Sequence, residues 1–188
     1  MSESQITKKA LAASIKQLME NVPLAKISIQ DIVDNCGLNR QTFYYHFKDK
    51  FDLVNWIYYT EAIESIADYS NYEHWSDGIY KIFSYLLKNK SFYINALNTP
   101  GQNAFDGYLF DVTHELNLMK VVNEVSKDTK VSAEDKKFIA DFYTYAFIGI
   151  TVKWITSGMK ESPEIMKERI KDIVDGSLIR FLSKRSNQ

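Results

Sequence analysis

The sequence predicts an all-α protein of about nine helices. Three observations lead there. Seven Gly and three Pro in 188 residues are too few for the turns of an all-β chain. Apolar residues recur at spacings of three and four, which gathers them on one face of a helix, while strand-like alternation is missing. Ser, Asn or Asp stands before many of these runs, where a side-chain oxygen can take up the free N–H groups of a helix start.

The elements follow in order. A first helix is expected from about Ser4 to Asn21, with Ile6, Leu11, Ile15, Leu18 and Val22 on its inner face and Pro23 ending it. Ser28, with Asp31 three residues on, is a capping-box variant opening a short helix striped by Ile29, Ile32, Val33 and Cys36. Gly37 can take a left-handed conformation and turn the chain. Asn39 then caps a third helix that points Phe43 and Phe47 inward, and Asp49 caps a fourth from Lys50 to about Tyr69. The polar and aromatic stretch Ser70–Trp75 reads as a connection. Further helices are expected over roughly Trp75–Asn89, Ser91–Leu97, Gly107–Ser126, Ala133–Ser157 and Pro163–Ser183, with a turn at Thr99-Pro100-Gly101. Ser132 with Asp135, Gly158 and Pro163 supply a cap, a stop and a start. The helix at 133–157 is apolar nearly all round, which predicts burial on most faces. The last helix carries a stripe that either packs home or pairs with a second subunit.

Composition bounds the function. Hydrophobic residues make up 45% and charged residues 25%, as in a soluble globular protein. The single Cys36 leaves no internal disulfide and no thiolate cluster, which fits a reducing cytoplasm. The polar N-terminus predicts no secretory signal, and no apolar run approaches a membrane span. Net charge is −1, and residues 1–60 hold seven basic against six acidic side chains, so charge alone does not suggest nucleic acid.

The spacing from Ser28 to Phe47 is that of a helix-turn-helix, whose second helix can enter the major groove. The exposed start of that helix is Asn39, Arg40, Gln41, Thr42 and Tyr44. Arg can bind guanine with two hydrogen bonds, Gln can do so with adenine, and Thr or Tyr can touch thymine methyls or phosphates. Tyr45 and His46 are placed to donate to phosphate. Lys50 would add its charge to the positive end of the next helix, making an anion site. The competing reading is a plain helical hairpin in which Tyr44 and Tyr45 are core and Arg40, Gln41 and Lys50 form a solvated face.

CGLNRQTFYYHFKDKFDL, residues 36–53, resembles the signature of the tetracycline-repressor (TetR) family of transcriptional regulators. The resemblance implies a helix-turn-helix domain over residues 1–60 and a helical effector and dimerisation domain over 61–188. It implies base-side roles for Arg40, Gln41, Thr42 and Tyr44, phosphate roles for Tyr45, His46 and Lys50, and contacts around Ser28 and Asn39. It also implies a homodimer on a palindromic double-stranded operator. The last two helices would pair across a two-fold axis through Trp154, Ile170, Ile173, Val174, Leu178 and Phe181. The segment Val152–Met166 resembles a Firmicutes-type C-terminal domain of that family. RQTFYYHFKDKFDLVNWIYYTEA resembles regulators of dihydroxyacetone kinase operons, which implies an activator working with a kinase-like co-activator protein. The alternative is a repressor released by a small apolar ligand.

No catalytic constellation emerges, and no enzyme activity, cofactor or metal is expected. Ser157-Gly-Met-Lys160 matches a bare Ser-x-x-Lys pattern without companion motifs. Asp111, His114 and Glu115 could share a helix face, but two carboxylates and one His at that spacing are ordinarily solvated. The second half is rich in aromatics, which suits a core, an interface or a pocket equally.

Overall fold

The computed structural model describes residues 2–69, 74–99, 105–113, 122–124, 126–127 and 130–186. These form α1 (Glu3–Leu18), α2 (Ile29–Asn35), α3 (Arg40–His46), α4 (Lys50–Tyr58), α5 (Trp75–Lys88), α6 (Lys90–Leu97), α7 (Phe105–Thr113), α8 (Ala133–Thr156) and α9 (Pro163–Ser186). A 3-10 turn at Leu24–Lys26 joins α1 to α2, and α4 continues through a π-helical turn, Tyr59–Ile63, into a 3-10 stretch, Glu64–Tyr69. Strands are absent among the described residues.

Local chemistry explains the helix starts. Ser28 and Asp31 form the reciprocal capping box, Asn39 accepts the Thr42 N–H, Asp49 accepts those of Phe51 and Asp52, and Ser132 accepts that of Asp135. Each satisfies donors that a helix start leaves free. Two glycines end helices where an L side chain would be strained, Gly37 at φ +70° and Gly158 at φ +91°.

The helices share one continuous core. Leu11, Ile15, Ile32, Phe43 and Leu53 close the bundle of α1–α4, and Phe83, Phe92, Tyr93 and Trp154 close that of α5–α9. The helix α4 belongs to both. Its first turns bury Leu53 and Val54, and its end buries Tyr58, whose ring meets Tyr93 and Phe105 edge-on at 6.1 and 5.4 Å.

The structure corrects several expectations. Ile6 is exposed, because α1 is covered on one side only, and Val22 is exposed in the turn that follows α1. The helix α8 is not buried all round. Ile139, Tyr143, Phe147 and Trp154 face inward, while Phe138, Phe142, Tyr145 and Ile150 are exposed. Its apolar residues form two stripes, and its own chain covers one. Four residues expected in a subunit seam are core of the single chain: Trp154, Ile170, Val174 and Leu178 are 3, 8, 7 and 1% exposed. The α9 stripe packs against α5, and Trp154 donates its indole N–H to the Glu161 carbonyl at 3.0 Å, bracing the α8–α9 turn. Of the expected seam only Ile173, 61% exposed, stands free, with Phe181 half-buried and stacked on Phe138. The expected helix at 107–126 is observed as α7 up to Thr113. Residues 114–121, with His114 and Glu115, lie outside the described residues, as do 70–73 of the connection and Pro100-Gly101 of the turn.

A Cβ on Gly37 would meet nothing within 4 Å, so only the backbone resists substitution there. Gly37→Ala should cost about 1–2 kcal/mol, the left-handed penalty of an L residue. Chemical denaturation checks this, and an unchanged midpoint would mean that the turn relaxes freely.

Candidate nucleic-acid interface

The unit α1–α3 is assembled by short polar ties over a small core. The Ser14 hydroxyl, buried in α1, donates to the Ile32 carbonyl of α2 at 2.6 Å. Asn35 Nδ2 returns to α1, donating to Ser14 Oγ at 3.2 Å and Gln17 Oε1 at 3.1 Å. The helix α3 is seated by Phe43, fully buried, with Phe47 behind it at a ring separation of 5.9 Å. The opposite side of α3 is therefore turned outward. Arg40, Gln41, Tyr44 and Tyr45 are exposed there, and Tyr45 reaches 82%.

Those side chains form a surface suited to a groove. The Arg40 guanidinium lies 5.9 Å from the centre of the Tyr44 ring, a cation–π arrangement, and donates to Tyr44 Oη at 3.4 Å. Tyr45 meets half-exposed His46 edge-on at 4.9 Å. Thr42 is half-exposed and donates its N–H and hydroxyl to Asn39 Oδ1 at 2.8 and 3.1 Å. Between Cys36 and Lys48 the chain has no acidic residue, so nothing on α3 itself repels phosphate. Tyr44 and Tyr45, 51 and 82% exposed, are therefore not the core residues that the competing hairpin reading made them.

Two residues expected at DNA are engaged within the chain. Ser28 spends both its donors on Asp31 Oδ2, the N–H at 2.8 Å and the hydroxyl at 2.7 Å. Those bonds, chiefly, hold the Asp31 carboxyl below its ordinary range, with the Lys50 charge adding to them. The start of α2 thus carries its own anion. Lys50 donates to the carbonyls of Leu24 at 2.6 Å, Ala25 at 3.2 Å and Ile27 at 2.7 Å. An ammonium has three protons, so none remains for phosphate in this geometry. Partial desolvation lowers the Lys50 pKa, opposed by Asp31 and Asp49. The expected anion site is a strut beneath the loop between α1 and α2. Asn39 likewise serves first as a cap, through its Oδ1.

Ser157, singled out with Lys160, has a structural role. The Ser157 hydroxyl donates to the Trp154 carbonyl at 3.1 Å, capping the end of α8. Among the described residues no cluster of three His, Cys, Asp or Glu could hold a metal, and no helix is long and apolar enough to cross a membrane.

Comparison with known proteins decides the identity of this unit. The family model "Bacterial regulatory proteins, tetR family" matches residues 11–57, from α1 through most of α4. A second model, "Transcriptional regulator C-terminal region", matches residues 73–176. The HTH-type dhaKLM operon transcriptional activator DhaS of Lactococcus lactis subsp. lactis (strain IL1403) is 30% identical over 158 residues, 84% of each chain. The chain belongs to the TetR family. A solved structure of the dihydroxyacetone kinase operon activator DhaS superposes with a TM-score of 0.72 at 27% identity, covering 97% of this chain and 99% of that one. Native NalD, the secondary repressor of the MexAB-OprM efflux pump in Pseudomonas aeruginosa, matches with a TM-score of 0.62 at 14% identity, over 96% of this chain and 98% of its own. That last likeness is one of fold alone.

The TetR-family match over residues 11–57 takes in α3, on which Arg40, Gln41, Tyr44 and Tyr45 are exposed. Asn95, whose contacts the sequence does not reveal, ties α6 to the loop between α1 and α2. It carries no motif, because its partners lie some seventy positions away in the sequence, up to 76 for Asn95 and Met19. Seating and reading are separable. Phe43→Ala should cost about 3–5 kcal/mol of folding stability, as large-to-small core changes do, whereas Tyr45→Ala should cost less than about 0.5 kcal/mol. Equal losses in urea unfolding would mean that Tyr45 is packed.

Proposed function

We propose that this chain is the homodimeric transcriptional activator of a dihydroxyacetone kinase operon, reading a palindromic operator with α3. The observation that carries the reading is the 30% identity with the dhaKLM operon activator, which runs through 84% of both chains and so includes reading head and effector region together. Residues 1–60 act as the DNA-binding domain and 61–188 as the effector and dimerisation domain, and the protein works where the chromosome lies, in the cytoplasm. Arg40, Gln41 and Tyr44 reach base edges, with Thr42 beside them. Tyr45 and His46 donate to phosphate. Arg40→Ala should cost about 1–3 kcal/mol per half-site and relax the base preference there. Lys50→Met should weaken every duplex while leaving the salt dependence of binding unchanged, because the ammonium spends its protons on carbonyls. A log–log salt slope flattened by roughly 1.8 would instead reveal two direct phosphate contacts per dimer. Fluorescence anisotropy on the DNA upstream of the chain's own gene provides both measurements.

The dimer is proposed to form through the uncovered stripe of α8 and the outer face of α9. Phe138, Phe142, Tyr145 and Ile150 stand there around exposed Ala146 and Gly149, and on α9 Ile173 stands beside exposed Gly176 and Ser177. Small residues let two helix pairs approach closely, and the aromatics supply the apolar area of a four-helix seam. Phe142→Glu or Ile173→Glu should shift sedimentation from dimer to monomer with helix content intact, whereas Leu178→Glu should unfold the chain. Dimers that survive both exposed-face changes would sink this interface.

The effector is proposed to be a kinase-like protein carrying dihydroxyacetone. A cavity of about 100 Å³ lies between α5, α8 and α9, and its lining, including Ile79, Ile82, Phe147 and Ile170, is almost wholly apolar. A small polar sugar would leave its hydroxyls unpaired there, at a cost of about 1–3 kcal/mol each. The polar side chains of Asn95 and Thr99 are engaged with backbone, Asn95 with the Leu24 N–H and Thr99 with the Asn95 carbonyl. The cavity also favours a second reading, a regulator released by a small apolar ligand. Operator binding should respond to the partner protein with dihydroxyacetone and ignore the free sugar. Release of the operator by a small apolar molecule such as toluene would favour the second reading.

A further inference from the structure

The loop between α1 and α2 is gripped from both sides. Asn95, half-buried in the middle of α6, accepts the Leu24 N–H on Oδ1 at 2.7 Å. Its Nδ2 donates to the carbonyls of Met19 at 2.9 Å and Val22 at 2.8 Å. Both amide protons and the carbonyl oxygen of one side chain are thus spent on the backbone of one loop. The carbonyl of the same Leu24 receives Lys50 Nζ at 2.6 Å from the start of α4. One residue, Leu24, 1% exposed, is therefore bonded to the effector half through its N–H and to the helix that follows the recognition helix through its carbonyl.

A second tie runs beside the first. Tyr93 of α6 donates to Tyr85 Oη at 3.1 Å, Tyr85 of α5 to Glu61 Oε2 at 2.8 Å, and Lys16 of α1 to the same Glu61 oxygen at 2.7 Å. Burial pushes both tyrosine pKa values upward, so the hydroxyls stay protonated donors. Two attachments on one short helix leave the head little freedom to rotate against the effector half.

We infer that Asn95 is a positioning residue for DNA recognition: by clamping the loop at 19–27, and through it Lys50, it sets the orientation of α2 and α3 relative to α6. A shift of α6 cannot leave the head behind without breaking three short hydrogen bonds. The inference rests on the reading of α3 as the DNA-contacting helix. A two-fold dimer must present two heads at one helical-turn spacing, so misorientation weakens operator binding far more than non-specific contact by a single head.

The test compares Asn95→Ser with Asn95→Asp. The Asp variant keeps the shape and the acceptor for Leu24 but sets a carboxylate oxygen against the Met19 and Val22 carbonyls. The Ser variant removes the clamp without repulsion. A space-filling role would make Asp the milder change; a polar clamp makes it the more damaging one. The measurements are hydrogen exchange without DNA, and binding to a labelled duplex from the chain's own upstream region against a scrambled duplex. Expected are faster exchange over 19–46 with α8 and α9 unchanged, an operator affinity lower by about tenfold, within the usual range of coupling between sites, and non-specific affinity nearly unchanged. Asn95→Ser combined with Lys50→Met should lose less than the product of the single losses, since both act on one loop. Wild-type operator affinity in both Asn95 variants, or multiplying losses in the double variant, would overturn the inference. Should the wild type prefer no upstream duplex, the activator reading fails by itself. Exchange then decides the mechanical link, which is supported by protection lost at 28–46 in the variants and refuted by protection retained.

Discussion

Three carbonyls in and just after a 3-10 turn meet one ammonium, and the unit α1–α4 is organised around that meeting. Lys50 holds Leu24, Ala25 and Ile27, the segment in which α1 has ended and α2 has yet to begin. Without a donor, those carbonyls would point at one another next to the buried side chains of Leu24 and Ile27. With it, the entry to α2 is fixed relative to the start of α4, and α3, lying between them in the sequence, has both ends anchored. The capping box at Ser28 sits directly after the strut, and the Asp31 carboxylate serves both, since it closes α2 and offsets the Lys50 charge.

The consequence is a unit whose exposed and engaged polar side chains are separated. Arg40, Gln41, Tyr44 and Tyr45 face outward with few intramolecular obligations, whereas Ser28 and Lys50, polar residues of similar promise in the sequence, are occupied. A polar side chain with all its hydrogen-bonding capacity met by protein gains little by turning to a ligand, because each bond made requires one broken. Over α5–α9 the same logic appears in apolar form. The stripe of α9 that packs against α5 is spent within the chain, while the second stripe of α8 and Ile173 are exposed.

The motif was legible because its determinants are local. A capping box involves residues three apart, a left-handed glycine needs only its own φ, and the inward turn of Phe43 and Phe47 follows from helical periodicity. Hence the caps at Ser28, Asn39, Asp49 and Ser132, the turn at Gly37 and the exposed start of α3 could all be read directly, and the family signature over residues 36–53 lies within them. The errors share the opposite character. Periodicity shows that a helix has an apolar face, yet a helix with two such faces does not declare which its own chain will cover. Helical spacing therefore does not separate Trp154, Ile170, Val174 and Leu178, which are buried within the single chain, from residues of a subunit seam.

By itself, then, the sequence determined the helices, their caps and the outward residue types of α3, since these depend on interactions within one or two turns. Only the tertiary structure decided where Lys50 and Asn95 spend their hydrogen bonds and which stripe of α8 stays free. Those choices depend on partners far along the chain, Leu24 for Lys50 at a separation of 26 and for Asn95 at 71. No local pattern encodes such a pairing, because the energy of a buried polar contact depends on where folding brings its partner and on whether any water is left to compete for it.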